Sequence, residues 1–425
     1  MKDIAEKSLF DIPGGWKTVL WILVLIGLGM FIAGLMTGGE ESVLRTWQAF
    51  LINTVFWGGI AHAGVLFAVI WQLTDAKWGR AFKRLAEACA GFLPISFLMF
   101  MVVFFGSHVL YEWTHTPFLH HGEAVKQGWL NLPFFISRNV FWLLLIYGIS
   151  YWFIKTSIKP DIALARRLIG SDWGGKFADW VLEDYGEHET EVVRLEKLSR
   201  KIAPALALIY SIGGSFLAWD FVMTLDQTWF STLFGVFFMI GNMHAFLGLM
   251  LAVAVTVRQK FGIEEYISIN RLHDLAKMTF AFSLLWTYMG YSQYLVIWYA
   301  DLPEETPYLV IRSMNAPWNT LFVVIILWVF VSVFLGLLPR TLCRMPNYIR
   351  LMGIWVMLGQ LLAVYMMVVP SLQHDGHYHI FMGMHELLIT LGFVGAFFLS
   401  YLAFLGKLPI LPISDKHLCR TWHGH

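Results

Sequence analysis

The feature that most constrains this chain is a series of ten apolar stretches, each long enough to cross a lipid bilayer. A membrane-spanning α-helix needs about 20 mostly apolar residues, because the hydrocarbon core is about 30 Å thick. We place the spans at residues 18–37, 44–73, 85–107, 133–156, 201–223, 229–258, 273–299, 316–338, 347–370 and 382–405. Only 14% of the 425 residues are charged, too few to solvate the surface of a water-soluble protein. The sequence therefore predicts an all-α integral membrane protein with ten transmembrane helices.

The basic residues are distributed unevenly between the two faces of this predicted helix array. Of the 30 Lys and Arg residues, 25 lie in the terminal segments and in the connections after even-numbered spans. Connections rich in Lys and Arg stay in the cytoplasm. We therefore expect both termini to be cytoplasmic, in a multi-pass protein of the bacterial inner membrane. The first span is interpreted as a retained helix, because no small-residue cleavage pattern follows it.

Two spans share a short motif that indicates an internal repeat. Gly59-Ile-Ala-His62-Ala63 in span 2 and Gly241-Asn-Met-His244-Ala245 in span 6 have the form G-x-x-H-A. Four spans separate the copies, so the repeats would run parallel about an axis along the membrane normal. The predicted architecture is two four-helix bundles with two peripheral helices. Its divisions are residues 1–43, 44–223, 224–371 and 372–425, with a cytoplasmic amphipathic helix over residues 155–200.

Seven ionisable side chains are predicted to lie in the hydrocarbon region of the membrane. Such groups cost a few kcal/mol each in hydrocarbon and usually face a bundle interior or a polar path. They are His62, Glu87, Asp220, His244, His273, Asp274 and Lys277. His62 and His244 lie in the middle of their spans, and four roles are open for them: proton relay, hydrogen bonding to quinone, haem ligation, or a neutral imidazole in the core.

Span 7 holds further candidates for a proton path. Asp274 and Lys277 are three residues apart on one helix face, which predicts a buried ion pair that is either structural or the entry of the path. Tyr288 and Tyr291 follow along the same span as a candidate hydrogen-bonded wire. Together with His273, His244 and Asp220, these residues are distributed across the full thickness of the membrane in spans 5 to 7, and we predict a proton path there. Glu87 and His62 would form a vestigial path in the first bundle.

The face opposite the basic one is acidic and rich in histidine. The segment Asp301-Leu-Pro-Glu304-Glu305-Thr-Pro307 presents three carboxylates on a turn stiffened by two prolines, and we predict a docking surface for extramembrane subunits there. Asp220 and His108 are the candidate quinone-binding residues near this face. The loops around His120 and His377 lack the fixed scaffold of a metal site, so no metal site is predicted.

Composition excludes several other functions. The three cysteines lie far apart and form no C-x-x-C pattern, so the chain alone is expected to hold no iron–sulfur cluster. A formal net charge of +1 gives no electrostatic basis for nucleic-acid binding. A secondary transporter is a competing class, but its helices should be broken by Gly or Pro at the midplane, whereas Pro94 and Pro204 lie toward the ends of their spans.

Several motifs together resemble one known family. They are Trp219-Asp220-Phe-Val-Met-Thr-Leu-Asp226-Gln-Thr-Trp229, Asp274-Leu-Ala-Lys277-Met-Thr-Phe, Tyr291-Ser-Gln293-Tyr294, Leu302-Pro-Glu304-Glu305, Ser107-His108-Val-Leu-Tyr111-Glu-Trp113 and Trp129-Leu-Asn131 continuing to Arg138. In this order they are similar to the ActF-type membrane subunit of alternative complex III, within the NrfD-like, polysulfide-reductase membrane-anchor superfamily.

The resemblance implies a subunit of a respiratory or photosynthetic quinol:cytochrome c oxidoreductase. Its partners would be a sister NrfD-like membrane subunit, a periplasmic multihaem cytochrome c and an iron–sulfur subunit, which carry the haem c and the clusters. This chain would be non-catalytic or quinone-binding, with quinone or lipid as its own ligands. It would scaffold the membrane domain and conduct protons. The alternative within the superfamily is the quinone-binding anchor of a polysulfide-reductase-like enzyme.

Overall fold

A computed structural model describes residues 6, 12–116, 119–120, 123–124, 126–373 and 379–415, and the side chains of these except at 37, 119, 120, 123 and 124. Ten long helical segments, labelled here in chain order, dominate it. They are α1 (Gly14–Thr37), α2 (Glu40–Thr74), α3 (Arg80–Phe105), α4 (Leu132–Ile169), α5 (His188–Phe221), α6 (Phe234–Phe261), α7 (Ile269–Ala300), α8 (Trp318–Leu337), α9 (Pro346–Val368) and α10 (Met384–Leu405).

Two of these segments are not regular α-helices. In α3, the 3₁₀ turns Arg80–Phe82 and Ala88–Phe92 alternate with the α-helical pieces Lys83–Glu87 and Leu93–Phe105, and α8 contains a π-helical stretch at Ile326–Ser332. Short elements fill the connections: α-helices Ser107–Leu110, Gly175–Leu182 and Thr306–Ser313, 3₁₀ turns Glu112–Thr114, Met223–Leu225, Leu342–Arg344 and Val369–Leu372, and the antiparallel strands β1 (Leu119–His120) and β2 (Glu123–Ala124).

The predicted multi-pass helical membrane protein is confirmed in its main features. In the described part of the chain, nine helices are long and apolar enough to cross a bilayer, and they match nine of the ten predicted spans. The remaining one, α7, has 32 residues but carries Tyr288, Tyr291, Gln293 and Tyr294 in its second half. We call the end that carries Arg84 and Arg166 the basic end and the end that carries Asp301 and Glu386 the acidic end.

The centre of the helix array is formed by α2 and α6. The two G-x-x-H-A motifs meet there, because a Cβ on Gly59 would lie 2.4 Å from the side chain of Asn242. Further along the same contact the rings of Phe67 and Phe246 lie 5.5 Å apart. The absence of a side chain at Gly59 is thus what lets the two motif-bearing helices approach.

The outermost helix, α1, packs against α10 through glycines. A Cβ on Gly27 would lie 2.4 Å from the Cα of Gly392, and one on Gly392 would lie 2.7 Å from the Cα of Gly27. In a membrane the association of helices depends on such close backbone contact, because lipid tails are as apolar as the helix surfaces. The crossing point is therefore intolerant of any side chain.

This crossing supports a first prediction. Gly27→Leu should push α1 away from α10 and lower the free energy of unfolding by about 1–3 kcal/mol, the usual range for overpacking. Gly29→Leu is the matched control, because a Cβ at Gly29 meets no atom within 4 Å. Thermal unfolding of the detergent-solubilised protein measures both. Equal midpoints for the two variants would show that the Gly27–Gly392 contact does not hold the helices together.

The region between spans 4 and 5 differs from the prediction. The predicted single amphipathic helix over residues 155–200 is wrong: α4 continues through Pro160 to Ile169, and α5 already begins at His188. Glycines at positive φ interrupt the chain between them, Gly170 at 148° and Gly174 at 75°, conformations that other residues rarely adopt. Predicted intrahelical ion pairs do form on α5, where Glu191 and Arg194 lie 2.8 Å apart.

Candidate functional site: polar clusters along one face of α4

One face of α4 carries a series of inward-pointing polar side chains. Asn139, Tyr147, Ser150, Ser157 and Asp161 are separated by 8, 3, 7 and 4 residues, spacings that keep them on one side of a helix. All are buried or half-buried. Twenty-two residues of helix rise about 33 Å, close to the thickness of a bilayer core. The face therefore places polar groups along the whole depth of the membrane, in three clusters.

The acidic-end cluster is built on Asp220 of α5. Arg138 holds both carboxylate oxygens, with Nε and Nη2 each 2.7 Å away, and Asn139 donates a third hydrogen bond at 2.8 Å. The guanidinium carbon lies 3.8 Å from the ring centre of Trp129. Asp220 is fully buried. The carboxylate is therefore held by a bidentate guanidinium, the strongest geometry for such a pair.

The two predicted quinone-binding residues are not joined by a hydrogen bond in the described structure. His108 is exposed at the acidic end, where its carbonyl accepts a hydrogen bond of 2.8 Å from the ring of His115. Three residues later Tyr111 donates to the carbonyl of Phe221, next to Asp220. His108 thus lies near the surface above this cluster, whereas Asp220 is enclosed within it.

The middle cluster surrounds Tyr147. Its hydroxyl lies 3.0 Å from Nε2 of His62 on α2 and 2.9 Å from the hydroxyl of Ser96 on α3. One turn further along α4, Ser150 lies 2.8 Å from the hydroxyl of Tyr210 on α5, whose ring centre is 6.0 Å from that of His62. His62, Tyr210 and Asn242 also line a small cavity between α2, α5 and α6. His62 therefore bridges a hydroxyl network and an internal cavity.

The second motif histidine has a different environment. His244 is fully buried, and its Nδ1 accepts a hydrogen bond of 2.8 Å from the side-chain amide of Gln360 on α9. Its Nε2 has no hydrogen-bond partner among the described residues. The two histidines thus share a position in the motif but differ in their hydrogen-bond partners: His62 contacts a tyrosine hydroxyl, and His244 contacts a glutamine amide.

The basic-end cluster joins α3, α4 and the C-terminal segment. Arg84 contacts Glu87, donates from Nε to Asp161 at 2.8 Å and reaches the carbonyl of Ser157 at 2.9 Å. The Ser157 hydroxyl donates to Glu87 at 2.6 Å. The free oxygen of Asp161 accepts from the backbone N–H of Ser414 at 2.8 Å. Glu87 and Asp161 are both fully buried. Arg84 pairs with both carboxylates, and Lys83 lies 4.0 Å from Glu87 as a second base.

The predicted path residues on α7 lie on the outside of the helix array. Asp274 and Lys277 do form an ion pair of 2.9 Å, but their side chains are 41% and 64% exposed. Tyr288 and Tyr291 are 64% and 59% exposed. The expectation of a buried pair is therefore wrong. His273 is half-buried beside the pair, in a cleft between α7 and α8.

The predicted docking surface lies at the acidic end. Asp301 closes α7 in a left-handed conformation, with φ of 48°, and both Asp301 and Glu304 are exposed, whereas Glu305 is half-buried. Nearby, Lys126 donates to the carbonyl of Gln227 at 2.9 Å. Burial lowers the pKa of Lys126, although Asp226 and Glu304 oppose this effect. The side chains of His120 and His377 in the histidine-rich loops lie outside the described residues.

Sequence reasoning missed the partners of the buried acids. Arg138 is one of four basic residues on the predicted acidic face, and another of them, Arg45, lies 2.7 Å from Glu386. A third, Arg312, is buried and donates to the carbonyls of Met366 and Met367. Because basic residues are rare on that face, each of them could have been considered as a partner for a buried acid. No sequence feature marked Asp161 as buried, since it was assigned to a solvated connection.

These features define a multi-pass helical membrane protein in which ion pairs and hydroxyl networks are buried between helices. Among curated proteins, the chain is similar to a putative membrane subunit of a dimethyl sulfoxide reductase from Halobacterium salinarum, with 22% identity over 256 residues. The alignment covers 59% of this chain and 53% of the relative, so the chain matches about half the length of that protein. No family model matches the chain.

Proposed function

We propose that this chain is the membrane subunit of a multisubunit oxidoreductase linked to quinone. The observation that carries the proposal is the polar face of α4, which with its partners places buried ionisable and hydroxyl groups across the whole membrane. Such groups are expensive in hydrocarbon and are typical of proton or substrate paths. A distant relative named as a reductase membrane subunit supports the same class. The subunit would anchor its partners and exchange protons with them.

The redox cofactors of such a complex would belong to partner subunits. We place their docking surface at the acidic end, on Asp301, Glu304 and Glu305, and the basic end in the cytoplasm. Acidic groups at a rim attract basic or neutral partner surfaces and act mainly on the association rate. The outward face of α7, with Tyr288 and Tyr291, suits a second membrane subunit, because an exposed tyrosine hydroxyl in hydrocarbon needs a hydrogen-bond partner.

Within this class we favour an ActF-type subunit of a quinol:cytochrome c oxidoreductase over the anchor of a polysulfide- or dimethyl-sulfoxide-reductase-like enzyme. The motif order around Asp220, Asp274 and Glu304 supports the first assignment, and the curated relative supports the second. Mild-detergent purification of the tagged chain from its own membranes distinguishes them. Copurification of a multihaem cytochrome c with a haem Soret band supports the first, and copurification of a reductase subunit without haem c supports the second. Recovery of the chain alone, with lipid only, would contradict both.

We further propose that protons cross the subunit along α4 rather than along α7. The route would run between Glu87 and Ser157, through Tyr210 and Ser150, to the His62–Tyr147–Ser96 network. The separations between clusters, about 10 Å along the helix axis, require bridging waters. Every one of these groups is hydrogen-bonded to a neighbouring helix, whereas the hydrogen bond of Asp274 within the described residues is to Lys277 on its own helix.

Tyr147→Phe tests this route, because it removes the hydroxyl that joins His62 to Ser96 and keeps the ring. In liposomes containing the whole complex, the variant should move fewer protons per electron while turnover in detergent stays close to that of the parent. Tyr151→Phe is the matched control: it lies one turn away on α4, and its hydroxyl donates to the carbonyl of Ala90. Asp274→Asn with Lys277→Met should also leave the ratio unchanged. A loss of pumping in this α7 variant, but not in Tyr147→Phe, would assign the path to α7.

A further inference from the structure

A cleft at the basic end, between α4 and α5, is lined by an unusual concentration of positive charge. Five of its lining side chains are cationic: Lys155, Lys159, Arg194, Lys197 and Lys201. None of the described residues that line it is acidic. This cleft is separate from the polar face of α4, and the inference drawn from it does not depend on the proposed redox function.

The charges in this cleft are poorly compensated. Arg194 has a carboxylate partner, Glu191, at 2.8 Å, but the four lysines have no ion pair within the described part of the chain. Lys155 and Lys159 are one turn apart on α4, and Lys197 and Lys201 are one turn apart on α5. Like charges at this spacing repel each other. An anion bound between the two helices would relieve the repulsion on both.

Lysines from the two helices face each other in the cleft. Because α4 and α5 are antiparallel and meet at Ser150–Tyr210, Lys159 lies at about the depth of Lys201. Lys155 lies one helical turn, about 5.4 Å, closer to the middle of the membrane, and Lys197 lies one turn closer to the basic end. The cleft therefore offers four ammonium groups, two of them at one depth, to a headgroup that carries two phosphates.

The inner part of the cleft is apolar. Trp152 lines it on the side that faces the middle of the membrane, and its side chain is 53% exposed. Tryptophan at the end of a membrane span marks the level of the lipid headgroups. Above it, Lys155 lies 4.1 Å from the ring centre of Trp180 in the short helix Gly175–Leu182. Charge above and hydrocarbon below match the two halves of a phospholipid.

We propose that this cleft binds an anionic phospholipid whose headgroup carries two phosphates, of the diphosphatidylglycerol class. The two phosphates lie among the four lysines, of which Lys159 and Lys201 face each other, while an acyl chain packs on Trp152. Basic residues near a membrane surface strengthen the binding of anionic lipid. The four lysines together therefore retain such a lipid when neutral lipids are removed.

A second basic cleft, between α7 and α8, provides an internal control. It is lined by Lys277, Arg340 and Arg344, but Asp274 pairs with Lys277 at 2.9 Å and Arg344 donates to Asn270 at 3.0 Å. Two of its three strong bases are thus already engaged. Substituting all three bases should leave retention of a two-phosphate lipid unchanged.

The test compares three forms of the full-length chain, purified in the same way and stripped with neutral detergent. They are the parent, a variant with Lys155→Gln, Lys159→Gln, Lys197→Gln and Lys201→Gln, and the control with Lys277→Gln, Arg340→Gln and Arg344→Gln. Native mass spectrometry measures bound diphosphatidylglycerol, and thermal unfolding measures the stabilisation by added diphosphatidylglycerol, phosphatidylcholine or soluble pyrophosphate. If the fourfold variant does not fold, the pairs Lys159→Gln/Lys201→Gln and Lys155→Gln/Lys197→Gln replace it.

We expect the parent and the control to retain the lipid, and the fourfold variant to retain it at least about tenfold less, with a matching loss of stabilisation by that lipid alone. Equal retention by all three forms would overturn the proposal. Stabilisation by pyrophosphate as large as that by the lipid would overturn it too, by showing a site for soluble anions. A larger loss in the control than in the fourfold variant would assign lipid binding to the other cleft.

Discussion

Arg138→Leu is expected to lower the free energy of unfolding by about 3–5 kcal/mol, because it leaves a buried charge without its partner. Asp220 is fully enclosed and receives two hydrogen bonds of 2.7 Å from this arginine. Its remaining donor from α4, Asn139, is neutral and cannot compensate the charge. Thermal unfolding in detergent, followed by size-exclusion chromatography, measures the loss.

The control for Arg138→Leu is Arg200→Leu, which breaks a pair with Glu196 on the exposed side of α5. Exposed pairs contribute about 0–1 kcal/mol, so this control should unfold close to the parent. Equal unfolding temperatures for the two variants would contradict the importance of the Asp220 pair.

A double variant separates the structural role of the pair from a chemical one. Arg138→Met with Asp220→Leu removes both charges, and such replacements are often neutral or stabilising. Asn139 keeps its second hydrogen bond, to the carbonyl of Phe135 at 2.8 Å. If the folded double variant supports quinone-linked turnover in the complex, Asp220 is structural. If it folds but does not turn over, Asp220 takes part in quinone binding or proton transfer.

Arg84→Leu is expected to have a similarly large effect, because the buried Asp161 loses its charged partner and Glu87 keeps only Lys83, at 4.0 Å. Two buried carboxylates would then be poorly compensated, again at a cost of several kcal/mol. The cluster also fixes the C-terminal segment, since Ser414 bonds to Asp161. We therefore expect α3, α4 and that segment to loosen together.

Limited proteolysis measures this loosening at one bond. Lys407 is exposed, while Leu408 to Ile413 are largely buried in the parent, so trypsin should cleave after Lys407 much faster in Arg84→Leu. Ser414→Ala is the control, because it removes one hydroxyl donor and keeps the backbone hydrogen bond. A parent-like digestion pattern in Arg84→Leu would contradict the proposed role of the cluster.

The sequence predicted single residues of the candidate site better than it predicted their grouping. Asp220, His62 and Glu87 were singled out because an ionisable group in an apolar stretch needs a polar partner, and the structure places each in a buried cluster. Asp274 and Lys277 met the same criterion, but their helix turns them outward. A one-dimensional pattern gives the depth of a residue in the membrane and not the direction in which its side chain points.

Nine of the ten predicted membrane spans match candidate spans in the described structure. The sequence alone could predict them, because the need for about 20 apolar residues is a property of a single helix and the bilayer. Only the tertiary structure decided which acids and bases meet. Arg84 and Asp161 are 77 residues apart, and Arg138 and Asp220 are 82 apart. Their pairing depends on the rotation and register of α3, α4 and α5, which are fixed by packing between helices. The polar face of α4 also depends on the tertiary structure, because α4 continues beyond the predicted span and Asp161 is buried within that continuation.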